Sequence, residues 1–187
     1  MESGQEAEME EGRGILLLED PLRCKGCFSR LKIQDRKNCT TLVFDENERY
    51  FHQAQAAYQH ARKGRQWLCI AAEGAAAGIA LALAAQLTVD RLALWCEEKP
   101  DARPREILRI DLFARRNLSL VACEILLVDA SAACVRRLSR SVSRASDVRA
   151  VGGEDFNAAQ LTAPWEQAEQ FVHTLEGGRE KCYNFRS

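Results

Sequence analysis

Five short apolar runs punctuate this chain, and none alternates cleanly with polar residues: GILLLED (14–20), TTLVFD (40–45), QWLCIAA (66–72), VDRLALW (89–95) and LVACEILLVD (120–129). A strand with one face in water shows a two-residue alternation, whereas a strand buried on both faces does not. Such runs belong inside a parallel sheet covered by helices. A weaker run, DVRAV (147–151), is a sixth candidate strand.

Helical patterns fill the gaps. Phe51, Ala54, Tyr58 and Ala61 form an apolar stripe. Asp45 and Glu48 resemble a capping pair at its start, and Gly64 closes it. Pro104 opens a helix whose Ile107, Ile110 and Ala114 share a face. Val135, Leu138 and Val142 mark another helix. Pro164, Trp165, Ala168, Val172 and Leu175 mark a last one, closed by Gly177 and Gly178. The regular alternation predicts one α/β domain: a three-layer αβα sandwich with a mainly parallel five- or six-stranded sheet. The domain is expected over 13–178, between an acidic tail (1–12) and a C-terminal tail (179–187).

With 187 residues, 47% of them hydrophobic, the chain can bury a sizeable core. Its 26 Lys and Arg against 27 Asp and Glu leave a net charge of −1, so bulk charge gives no reason to expect nucleic acid or an anionic membrane. The greasiest stretch, Ile70 to Leu87, contains Glu73 and two glycines and is rich in alanine, unlike a membrane span. The opening MESGQEAEMEEG lacks the apolar core of a secretory signal. The expectation is a cytoplasmic protein with its eight cysteines reduced; Cys69, Cys96 and Cys123 lie in apolar runs, as small hydrophobes do.

One stretch raises a chemical question. CIAAEGAAAGIALALAAQ (69–86) reads as strand, tight small-residue turn and alanine-rich helix. With TTLVFD before it and VDRLALW after it, the order resembles the core of the α/β hydrolases, beginning near that family's third strand. The family places its nucleophile in a G-x-S-x-G turn between strand and helix. One register aligns Gly74 to Gly78 and puts Ala76 at the nucleophile. The other aligns Ala72 to Ala76, puts Gly74 there, and better matches the family run G-E-S-x-G-G-x-x-A-L-A-L-A. Neither supplies an attacking oxygen or sulfur. Where the resemblance implies a His-Gly after the first strand, this chain has Glu19-Asp20-Pro21. The position implied for the catalytic acid falls on Ala132 or Ala133, with Asp129 nearby. The position implied for the histidine falls on Phe156, in VGGEDFNAAQ.

Other residues carry separate expectations. Cys24 and Cys27 form a CxxC after a strand, a pattern for thiol redox chemistry. With Cys39 they would leave a zinc site incomplete. His52, His60 and His173 fall on helices, away from strand ends. Arg136, Arg140 and Arg144 form a stripe that suits a solvated helix face. Glu19, Asp20, Asp45 and Glu73 lie at strand ends, where four carboxylates together could take a metal or a cationic ligand; as caps and loop residues they need none. The sequence calls for no cofactor and no metal. The expected function is a non-catalytic or diverged hydrolase-like protein binding a small ligand or a protein partner. The candidate cleft comprises Glu73, Gly74, Ala75, Ala76, Glu19, Asp20, Asp45 and Phe156. The alternatives are a hydrolase with a non-standard site, Ser131 and Thr162 being nominal nucleophiles, and a CxxC thiol protein.

Overall fold

The computed structural model describes residues 12–22, 28, 38–95 and 103–165. In chain order the elements are β1 (Arg13–Leu18), β2 (Cys39–Leu42), α1 (Tyr50–Arg62), β3 (Trp67–Glu73), α2 (Ala76–Ala84), β4 (Arg91–Trp95), α3 (Arg105–Arg116), β5 (Glu124–Val128), α4 (Ala132–Ser141) and β6 (Asp147–Val151). The strands form one six-stranded sheet in the order β2-β1-β3-β4-β5-β6, every pair parallel. All six expected strands are present, the weak DVRAV run as an edge strand.

Both faces of the sheet are buried, which explains the missing alternation. Leu16, Leu18, Leu68, Ile70, Leu92, Leu94, Ile125 and Leu127 face one core. Ile15, Leu17, Cys69, Ala71, Ala93, Trp95, Leu126 and Val128 face the other. From β2 to β6 the chain crosses the sheet in one direction, so right-handed crossovers put α1 to α4 on the same face. Residues of all four helices pack into that face's core or against it. Among the described residues, Phe28, Phe156, Leu161 and Trp165 pack on the opposite face.

The amino ends of the strands hold a buried cation. Arg91 is 1% exposed. Its guanidinium pairs with Glu124 at 2.7 Å and donates to the carbonyls of Gln160 at 2.6 Å and Ala163 at 2.9 Å. It also lies against the rings of Trp67 and Trp165. The signal in the sequence was a charge inside an apolar run; its partners, 33, 69 and 72 residues away, left no local trace.

Three local expectations are corrected. Asp45 and Glu48 do not cap α1, which starts at Tyr50 behind Arg49 with no side-chain cap. Asp45 instead accepts the N–H of Asn47 at 2.8 Å, and Gln53 bonds both its N–H and its carbonyl. The buried stripe of α1 is Tyr50, Ala54, Tyr58 and Ala61, with Phe51 only partly buried. TTLVFD stops pairing at Leu42, whose partner Leu18 is the last residue of its only neighbour, β1. The last expected helix lies outside the described residues beyond its start at Trp165, as do both tails apart from Gly12.

Seven of the nine residues of α2 are buried, which requires small side chains. The closest approach is at Gly78, where an added Cβ would overlap Asp111 Oδ1 and sit 3.1 Å from its Cγ. Asp111 is itself buried and paired with Arg103 at 2.5 Å. Gly78→Ala is therefore expected to cost about 1–3 kcal/mol of stability by overpacking. Urea denaturation measures it, and a cycle with Asp111→Ala should recover part of the loss.

Candidate functional site

In an open parallel sheet, the carboxyl ends of the strands are where loops converge on a ligand. Here β3 lies between β1 and β4, with Leu18 opposite Ala72 and Glu73 opposite Trp95. The chain leaves β3 through Gly74, whose φ is +54°, and enters α2 after Ala75. Glycine is the residue that adopts such an angle without strain. Ala75 and Ala76 are buried, Ala76 as the first residue of the helix.

The turn is filled from β1. Asp20, two residues past that strand, is 4% exposed. Its Oδ1 accepts the N–H of Leu22 at 3.0 Å and of Ala75 at 3.3 Å. Its own N–H donates to Glu73 Oε1 at 3.3 Å, and Glu73 is 2% exposed. Asp20, Glu73, Gly74 and Ala75 thus form one contiguous unit. The link spans 55 residues and depends on the register of β1 against β3, so no local pattern could announce it.

The remaining candidates lie around or away from this unit. The N–H of half-buried Glu19 donates to the Leu42 carbonyl at 3.2 Å. Asp45 is exposed and bound within its own loop, which removes it from the expected carboxylate cluster. Phe156 is buried edge-on to Trp95 at 4.8 Å, and Trp95 meets Phe28 edge-on at 5.2 Å. Asp129, at φ +56° beyond β5, accepts the N–H of Gly153 at 2.5 Å; this contact was not anticipated. Ala132 and Ala133 are exposed at the start of α4.

The Ser131 hydroxyl caps α4 by accepting the Cys134 N–H. The Thr162 carbonyl accepts a bond from Arg13. Arg136 and Arg140 are exposed on α4 as expected, but Arg144, also exposed, lies beyond the end of that helix at Ser141, so the stripe does not continue to it. His52 and His60 are exposed on α1. His52 lines a groove of about 280 Å³ with Phe51, Glu106, Arg109 and Phe113, on the helical side of the molecule. Cys24, Cys27 and His173 lie outside the described residues. Among the described residues, no group of three or more His, Cys, Asp or Glu side chains is placed to hold a metal ion. No described helix is long and apolar enough to cross a membrane.

Solved structures share this architecture. A chain of LipS and LipT, two metagenome-derived lipolytic enzymes, superposes with a TM-score of 0.57 at 10% identity, covering 89% of this chain and 93% of that one. MGS-M2, an α/β hydrolase from a Medee basin deep-sea metagenome, gives 0.49 at 11% identity over 90% of each chain. N-formylmaleamic acid deformylase from Pseudomonas putida S16 gives 0.49 at 10% identity, over 88% of this chain and 92% of that one. At such identities the likeness is one of fold. No protein-family model matches the sequence, and no curated protein matches it.

Two thiols near the strands are chemically quiet. Burial pushes both Cys69 and Cys123 up to about 12, because the thiolate loses its hydration. Each holds its proton in the folded chain at pH 8, while the unfolded chain begins to ionise. Iodoacetamide at pH 8 should therefore spare both in the native protein and modify both in urea, as peptide mass mapping would show. Above the ordinary thiol value of 9.0 only the unfolded form gains charge, so stability falls as pH rises towards 12.

Proposed function

We propose that this chain, whose fold is that of the α/β hydrolases, is a non-catalytic member of that fold which binds a small ligand or a protein partner. The observation that carries the reading is Gly74. Its φ of +54° matches the strained residue of a nucleophile turn, and it has no side chain to attack with. Ala76, the other candidate for that position, lies within α2.

Acyl transfer needs a nucleophile, a base to take its proton and donors for the oxyanion. The N–H after the nucleophile is an oxyanion donor in this fold. Here that N–H, on Ala75, is directed to Asp20. The position expected for the histidine is Phe156, packed on Trp95. Asp129, nearest the expected acid, is bonded to Gly153. The small residues of the turn retain a structural task after the chemistry is gone: they let β3 pass into a buried helix. The ligand cleft in this reading lies above Glu73 and Gly74, at the carboxyl ends of β1, β3 and β4. A near-neutral charge and buried, protonated thiols suit a cytoplasmic setting.

The test is treatment of the folded protein with a fluorophosphonate probe, read by intact mass. No added mass is expected. Stoichiometric labelling would overturn the reading, and the modified residue would locate the nucleophile. Gly74→Ser alone should give no ester hydrolysis above the buffer rate, because Phe156 stands where the base is expected and the Ala75 N–H is engaged by Asp20. Measurable turnover by that variant would count against the reading.

A further inference from the structure

Asp20 fills a specific volume. A Cβ added to Gly74 would overlap its Oδ2, and would lie 2.6 Å from its Cγ and 3.2 Å from its Cβ. The space that any side chain at position 74 must enter is therefore taken by a carboxylate from the end of the neighbouring strand. Three features hold it there. Pro21 follows, and a residue before proline is biased to extended backbone. Leu22 turns its N–H back to Oδ1. Glu73 accepts the N–H of Asp20. The carboxylate serves α2 in return: Ala75 stands at its N-cap without a capping side chain, and Asp20 accepts its N–H from outside the helix.

We propose that Asp20 is a built-in plug of this turn. It occupies the position over Gly74 and engages the Ala75 N–H, so neither a side chain at 74 nor a ligand carbonyl can take that place while residues 19–22 keep this arrangement. The plug deepens the non-catalytic reading and rests on it only for the identity of the turn. It makes the closure steric rather than a mere loss of the nucleophile. A ligand of the cleft then finds the Ala75 N–H already engaged by Asp20 instead of an open donor.

The experiment installs a thiol in the plugged position, since a thiol at a helix amino end is nucleophilic without a dedicated base. Alkylation of position 74 by iodoacetamide at neutral pH is followed by peptide mapping in three variants: Gly74→Cys, Asp20→Gly/Gly74→Cys and Asp20→Asn/Gly74→Cys. The plug predicts that the Asp20→Gly pair reacts roughly tenfold faster or more than Gly74→Cys alone. It also predicts that the Asp20→Asn pair stays slow, because asparagine fills the same volume. Equal rates in the first two variants would overturn the proposal. A fast Asp20→Asn pair would do so as well, by making the block one of charge.

If Gly74→Cys alone does not fold, thermal melts replace the rates. Asp20→Gly must then restore a cooperative transition to Gly74→Cys, and failure to do so rejects the plug. None of these results depends on the fluorophosphonate outcome, so the two readings fail separately.

Discussion

A buried guanidinium organises the amino-terminal side of the sheet. An isolated charge at 1% exposure would cost several kcal/mol, so the surrounding chain has to satisfy Arg91 on every side. β5 supplies Glu124, and the segment after β6 supplies the carbonyls of Gln160 and Ala163. Trp67 and Trp165 add their ring faces, at 5.1 and 4.8 Å from the cation. Arg13 also lies against Trp67, and Arg149 against Trp165, so cations and rings are interleaved along this edge. The last described segment is thereby tied to the strands. Phe156 belongs to the same segment and carries it to the carboxyl end of β4, where it packs on Trp95.

The carboxyl-terminal side follows a different rule. Close approach sets its residues, and Asp20, Glu73 and Asp111 are buried there as well. Asp20 lies over Gly74, Asp111 over Gly78 and Asp129 over Gly153, each carboxylate in the place of a missing Cβ. Two of these contacts bracket the start of α2, the region where a hydrolase of this fold would do its chemistry. Glycine at 74 thus answers to two demands at once, a backbone angle and a neighbour's volume. Either alone favours glycine there.

The strands were legible because burial on both faces leaves an unbroken apolar run, a property of neighbouring residues. The helices were legible for a similar reason, although the stripe of α1 was misplaced by one residue at its start, from Tyr50 to Phe51. That AEGAAAG carries no hydroxyl or thiol could be read directly. The carboxylate that lies over Gly74 could not. Asp20 reaches Ala75 only because Leu18 pairs with Ala72, and strand register is a long-range property. Asp45 shows the converse error: its spacing to Glu48 imitates a cap, but the nearer Asn47 N–H captures its carboxylate first. Arg91 is a lone cation inside the apolar run VDRLALW, and its partners come from segments that only the folded chain brings together.

The order of the strands has a consequence for how the chain assembles. β2 pairs with β1, β3 takes the other side of β1, and β4, β5 and β6 each join the strand immediately before them. No strand has to be inserted between two that are already paired. A chain emerging from the ribosome can extend this sheet outward, one crossover at a time. Until β6 docks, the growing edge is always an apolar strand with open hydrogen-bonding groups, and the segment that will cover it is the next one to be made.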